Sequence, residues 1–354
     1  MFGRQWFPPQ CQIGLTESAL ALEELLRKRK FANAIQLSTK CLSYADESSN
    51  LHHRSFWKRQ LKRSLRLSSR DPYKESVLIR YIGFWPGFDE ENNEIHNLLN
   101  KASSCLGLNL QVTKGKADIE VLSLFDSTQQ TFDDCATKVL YLGENVRPCY
   151  MNVDYSLSFD IHSYSGKNLY VPLWILRSTD FGVENGYKPY DPRDLSDLRP
   201  LSTGKGICYI GNNETPLRKT LIQFLLAHGL TVDCYGSHTN QVADKIAKLS
   251  QYQYSICLEN SYTPGYVTEK LIDGYIAGTI PIYNGGVDTT IFNILSFVNL
   301  DPYRDLDSDL IRQIECNQEA YRSHSLMPYA RYLGLRDSLI ASVAKTIFPF
   351  FTGF

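Results

Sequence analysis

No stretch of this sequence approaches 18 consecutive apolar residues, so no membrane-crossing helix is expected. Its N-terminus, MFGRQWFPPQCQIG, lacks the apolar core of a secretory leader, and a cytoplasmic chain is expected. Charge of one sign is missing too. Lys and Arg number 37 against 38 Asp and Glu, a net of −1, so nothing global points to nucleic acid as a partner. The cysteines, at 11, 41, 105, 135, 149, 208, 234, 257 and 316, form no CxxC pair and no metal-ligand spacing with histidine. They are expected as reduced thiols acting as small apolar residues, and no metal site is expected.

What the chain does have is length and apolar content: 354 residues, 43% hydrophobic, enough for two domains. Residues 1–70 form a first segment. Within it, 16–46 repeat leucine and alanine at helical spacing on either side of a basic turn, similar to one tetratricopeptide unit. One such unit cannot bury a continuous core, so this helical hairpin is expected to pack on the rest of the chain or on a protein partner. From His53 to Arg70 there are seven Lys and Arg and no acid, with Trp57, Leu61 and Leu65 four residues apart. That pattern suits a helix lying on an anionic membrane surface, and the reading is peripheral membrane contact through 53–70.

Strand and helix patterns then alternate. In 71–190 the strands are read at 76–85, 117–125 and 137–145, with a helix at 93–107. A Pro- and Asp-rich stretch, 185–206, reads as a linker. In 200–330 strands are read at 206–211, 231–236, 252–259 and 279–283, with helices at 216–228, 239–250 and 266–277. Two alternations of this kind imply two doubly wound α/β domains with parallel sheets. Residues 331–354 carry a last helix, about 334–347, expected to cross back to the first domain.

The stretch YVTEKLIDGYIAG, 266–278, sets Glu269 and Lys270 together at a helix start, between two apolar strands. Thr263 is read as the helix cap and Pro264 as part of the first turn. A helix start offers free N–H groups and partial positive charge, and Lys270 adds a full charge, which together suit a pyrophosphate. Glu269 would repel a phosphate. It suits sugar hydroxyls, or the positive charge that develops on a sugar ring as its bond breaks. DLDSD, 305–309, looks like a metal-binding DxD pair, but Asp and Ser before an amphipathic helix are expected as caps.

CLENSYTPGYVTEKLIDGYIAGTIPIYNGG, 257–286, resembles the donor-binding signature of the α1,3/4-fucosyltransferases, glycosyltransferase family 10. Leu258-Glu259-Asn260 stands where that family has a strand ending in FEN. Tyr266-Val267-Thr268-Glu269-Lys270-Leu271 and Ala277-Gly278-Thr279-Ile280-Pro281-Ile282 match its next two blocks. YLGENVRPCYMNVDYSLSFD, 141–160, and LYVPLW, 169–174, resemble an upstream block in the same order. The likeness covers roughly 75–325.

The resemblance implies a GT-B fold, two Rossmann-like domains facing across a cleft, with an N-terminal helical extension outside it. It implies inverting transfer of L-fucose from GDP-β-L-fucose to an oligosaccharide acceptor of the galactose/N-acetylglucosamine type, as in Lewis antigens. Glu144 in GEN is then the proposed base, and Glu269 the carboxylate at the fucose. Lys270 is implied as the diphosphate-binding lysine. Glu259, Asn260, Tyr266, Arg218 and Gly236 are implied at the donor site. Where many members carry an arginine near the glycine turn, this chain has Ser237, His238 and Thr239. Acceptor contacts are expected from loops such as FWPGFDE, 84–90. Two other readings stay open: a transferase of another GDP-sugar, and a catalytically silent scaffold working through its helical hairpin.

Overall fold

The structure, a computed structural model, describes residues 9–71, 74–125, 132–184, 188–212, 215–236, 240–300 and 306–352. Ser237, His238 and Thr239 lie outside these. The chain divides into two compact units, 1–171 with 337–354, and 172–336. The change of unit thus falls at Val171, ahead of the stretch read as a linker. The segment 1–70 falls within the first unit.

The first unit opens with three helices, α1 (Glu17–Arg27), α2 (Phe31–Glu47) and α3 (Leu51–Ser69). Side-chain oxygens of Thr16 and Asn50 accept from Ala19 and His53 N–H at the starts of α1 and α3. Then come β1 (Ser76–Ile82), α4 (Glu94–Ser104), β2 (Asn109–Val112), β3 (Ile119–Leu122), β4 (Thr137–Leu142), β5 (Tyr155–Ser158) and β6 (Asn168–Tyr170). The six strands make one parallel sheet, ordered β2-β1-β3-β4-β5-β6. Every residue of β4 and β5 is buried, as a sheet covered on both faces requires.

The basic helix α3 forms, and four arginines in it or at its C-cap find carboxylates of the chain itself. Arg59 binds Asp154 through both terminal nitrogens, at 2.9 and 3.0 Å. Arg63 donates to Glu23 of α1 at 2.6 Å, and its guanidinium lies over the rings of Tyr155 and Phe350. Arg66 pairs with Asp118 and Asp133, and Arg70 with Asp118. The helix thus turns its arginines onto the protein's own carboxylates, while Lys58 stays exposed and Lys62 partly so. Among the described residues no helix is long and apolar enough to cross a membrane. Cys149 is disulfide-bonded, against the expectation of reduced thiols throughout, while seven other cysteines are free.

The second unit holds α5 (Leu173–Leu176), α6 (Asp194–Asp197), β7 (Ile207–Ile210), α7 (Pro216–Ala227), β8 (Val232–Tyr235), α8 (Lys245–Leu249) and β9 (Tyr254–Leu258). After these come α9 (Glu269–Ile276), β10 (Ile280–Asn284), β11 (Val298–Asn299), α10 (Ser308–Cys316) and α11 (Gln318–Arg322). The last helix, α12 (Tyr329–Ile347), begins in this unit and ends in the first. The five strands are again parallel, ordered β11-β10-β9-β7-β8, around a core that includes Leu221, Leu225, Ile256, Leu258, Ile280 and Ile282. In both sheets the first two strands sit in reverse order and the next strand pairs with the first. That places the switch points beside β1/β3 and β7/β9, where doubly wound sheets bind ligands. Asp307 caps α10, accepting from the N–H groups of Asp309 and Leu310, while Asp305 lies outside the described residues. Among the described residues no group of three or more His, Cys, Asp or Glu could hold a metal ion.

Candidate active site

At the switch point of the second sheet, beyond the carboxyl ends of β7 and β9, lies a depression of about 160 Å³. Its lining includes Tyr209, Asn212, Arg218, Lys245, Asn260 and Lys270. A second hollow of about 450 Å³ shares Tyr209, Asn212 and Arg218 and extends to Tyr235 and Gly236 at the end of β8. A Cβ at Gly236 would stand 2.5 Å from the Gly211 carbonyl oxygen, so only glycine fits this turn.

Helix α9 supplies the charges. It begins at Glu269 with Thr268 as its N-cap residue, five residues beyond the cap read from the sequence. Thr263 bonds the Tyr262 carbonyl, and Pro264 bridges to Gly286. Their loop turns across the strand end before the helix can start. Glu259, 3% exposed, does the anchoring. Its carboxylate accepts from the Thr268 N–H at 2.8 Å, the Thr268 hydroxyl at 2.8 Å, the Tyr283 hydroxyl at 3.1 Å and Lys270 Nζ at 3.1 Å. Both oxygens accept from the protein itself, and Glu259 thereby supports the start of α9 and Lys270.

Lys270 Nζ also donates to Thr268 Oγ1 at 2.8 Å and lies 3.5 Å from Glu269 Oε1. One turn on, the buried Asp273 holds Lys245 Nζ at 2.6 Å. Burial pushes the Glu269 carboxyl up, but the charges of Lys270, Lys245 and Arg177 outweigh it and hold the group below its ordinary value. Burial would lower Lys270 and Lys245. Glu259 with Glu269, and Asp273 with Glu269, raise them instead. The helix mouth therefore carries two fixed ammonium groups beside one fixed carboxylate.

Arg218, 4% exposed, donates to the Leu258 carbonyl at 2.5 Å and to Asn260 Oδ1 at 3.0 Å. It braces the end of β9 and orients Asn260, and both line the depression. Tyr266 is buried at 3% exposure and is not among the lining residues. Lys245, Tyr209 and Asn212 were not foreseen. The buried Asp273 was the available signal for Lys245, because a carboxylate inside a helix face needs a cation.

Glu144 belongs to the first unit. It is exposed just past the carboxyl end of β4, after Gly143. It lines a hollow of about 220 Å³ with Leu124, Phe125, Tyr141 and Val146. On the neighbouring loop, Trp85 meets Phe125 edge to face at 5.4 Å.

Two parts of one family match this chain: the N-terminal domain of the alpha-(1,3)-fucosyltransferase FucT over residues 79–177, and the C-terminal part of glycosyltransferase family 10 over 205–326. Together they take in well over half of it. The alpha-(1,3)-fucosyltransferase FucT of Helicobacter pylori is 31% identical over 218 residues, 52% of this chain and 46% of that protein. The human 4-galactosyl-N-acetylglucosaminide 3-alpha-L-fucosyltransferase 9 is 26% identical over 158 residues, 42% of this chain and 44% of that one. The chain thus spans about half the length of these curated relatives. Among solved structures, an alpha1,3-fucosyltransferase with GDP shares the fold at a TM-score of 0.53 and 23% identity, covering 78% of this chain and 94% of that one. The same enzyme class solved with GDP-fucose gives 0.52, at 77% and 92% coverage. Matched in order on the two parallel sheets, the chain belongs to glycosyltransferase family 10, the fucosyltransferases.

Proposed function

We propose that the chain transfers L-fucose, with inversion, from GDP-β-L-fucose to an oligosaccharide hydroxyl of the galactose/N-acetylglucosamine type, forming an α1,3 or α1,4 linkage. The observation that carries the reading is the helix mouth of α9, where Lys270, pinned by Glu259, stands beside an ionised Glu269 at the lip of the depression. Lys270, Lys245 and the free N–H groups of α9 suit the diphosphate, including the charge it gains on leaving. Glu269 suits the fucose hydroxyls and the positive charge that builds on the ring. The hollow reaching Tyr235 and Gly236 suits the nucleoside. Glu144 is the base, taking the acceptor hydroxyl proton as the new C–O bond forms and the bond to GDP breaks. The Helicobacter pylori alpha-(1,3)-fucosyltransferase supports the same sugar, and the human 4-galactosyl-N-acetylglucosaminide 3-alpha-L-fucosyltransferase 9 supports the acceptor class as well.

The test is GDP release from GDP-fucose by the purified chain, with and without N-acetyllactosamine. Acceptor-stimulated release that falls about 10²–10⁴-fold in Glu144→Gln is expected. Release that no galactoside stimulates would overturn transfer to this acceptor class. Undiminished release by Glu144→Gln would overturn the base. Stronger competition by GDP-mannose than by GDP would point to another donor.

A further inference from the structure

Four buried cations in the first unit share three buried carboxylates. Arg59, Arg63, Lys138 and Lys167 have side chains no more than 6% exposed, and Glu23, Glu120 and Asp154 no more than 5%. Arg80 draws on Glu120 as well. The carboxylates are therefore outnumbered, and unbalanced charge inside a protein is costly. The excess is felt at the lysines. Burial and the neighbouring arginines lower both Lys138 and Lys167, despite the carboxylates nearby.

The excess also has an outlet. Between α3 and strands β3 and β4 lies a cavity of about 400 Å³ lined by Ser55, Lys58, Arg59, Leu122, Phe132, Asp134, Lys138 and Asn152. Lys138 Nζ makes no hydrogen bond among the described residues. Its nearest carboxylate oxygen, on Glu120, is 3.9 Å away, and the Phe132 ring lies 4.7 Å below it. Arg59 spends its two terminal nitrogens on Asp154, and its Nε is buried with no partner. Lys58 forms no ion pair among the described residues. The one acid on the lining, Asp134, is held by Lys62 at 2.8 Å.

We infer that this cavity binds a phosphomonoester group, with Lys58, Lys138 and Arg59 Nε donating to its oxygens. Asn152 and Ser55 add neutral donors. The charge count asks for an anion, and a tetrahedral dianion accepts from more donors than a carboxylate can. Leu122 and Phe132 line the rest of a space larger than a bare phosphate fills, which suits an ester carrying carbon. The site uses nothing from the depression at α9 and does not depend on fucosyl transfer.

Thermal melts at fixed ionic strength, with chloride exchanged for inorganic phosphate, read the site first. The wild-type protein should gain roughly 5 °C at a hundredfold excess over Kd. Half-saturation should rise at least tenfold in Lys138→Met and in Lys58→Glu. Lys58 is exposed, so its variant keeps the test alive should Lys138→Met fail to fold. An equal gain in all three proteins means an adventitious surface ion only, and no gain in the wild type also overturns the site. Flotation on phosphatidic-acid vesicles separates the sources. Flotation abolished by Lys58→Glu assigns a lipid headgroup, whereas a phosphate-dependent gain without flotation assigns a soluble ester.

Discussion

Lys270 holds its ammonium 3.1 Å from a carboxylate oxygen of Glu259, the residue at the end of β9 that also anchors Thr268. The strand end thereby fixes both the start of α9 and the cation beside it. Removing Glu259 leaves Lys270 part-buried and Thr268 without its acceptor. Glu259→Ala should lower unfolding free energy by about 3–5 kcal/mol. Lys270→Met should keep the fold and weaken GDP binding at least tenfold, since a charge-assisted contact to phosphate is worth about 1.5–3 kcal/mol. Urea melts and GDP titrations on both variants separate the two effects. Equal GDP affinity in Lys270→Met would remove the lysine from the donor site.

Protonation of Glu269 gives a second prediction. Its folded-state pKa lies below the ordinary carboxylate value because Lys270 and Lys245 outweigh burial. The ionised group therefore adds stability above the ordinary value, about pH 4.3, and that contribution is lost as pH falls through the depressed one. The two lysines are raised, so their share is present below about pH 10.4 and is lost as pH rises through their folded values. Glu269→Gln should flatten the acid limb of a stability profile and bring the alkaline limb to lower pH. Urea midpoints from pH 3 to 11 measure both limbs, and profiles of identical shape would refute the assignment.

The pair Glu269 and Lys270 was legible because an acid and a base cannot sit beside apolar strands without a purpose, and the residues around them fit a known block. Where α9 begins was not. Pro264 reads as a first-turn residue until Gly286, 22 positions on in the sequence, is seen to pair with it. Lys245 was hidden for a similar reason, since its partner Asp273 lies on another helix. Strands β2, β5 and β6 run to four, four and three residues, too short and too polar for alternation to mark them. In α3 the partners of the arginines could not be read from the sequence pattern. An arginine-rich amphipathic helix reads as a surface until Glu23 and Asp154, on distant elements, are known to face it.

Asp154 tests that packing. It accepts from Arg59, from Gln60 at 2.9 Å and from the Lys138 N–H at 2.9 Å, with Arg63 at 3.4 Å. Arg59 and Arg63 hold its carboxyl far below the ordinary range against the push of burial. Asp154→Ala would strand the buried Arg59 guanidinium and leave Arg63 with Glu23 alone, and a loss of about 3–5 kcal/mol is expected. A urea midpoint within error of wild type would refute the buried pairing of α3 with Asp154.

Gly286 carries the last prediction. A Cβ there would stand 1.7 Å from the Thr263 carbonyl oxygen and 2.7 Å from the Pro264 Cα. Both are backbone neighbours in a loop that the Gly265 N–H ties to the Gly286 carbonyl at 2.7 Å. Neither strand can give way alone, so Gly286→Ala must push the 261–267 loop off the end of β10 and displace the entry to Thr268. GDP affinity should fall at least tenfold, with a stability loss of about 2–4 kcal/mol, in the upper part of the range for single substitutions. Gly334 offers the control. It lies inside α12, and a methyl group added there would meet nothing within 4 Å, so Gly334→Ala should stabilise by about 0.5–1 kcal/mol and leave GDP binding alone. Equal GDP affinities in the two variants would show that close backbone approach at Gly286 is not what sets the helix mouth.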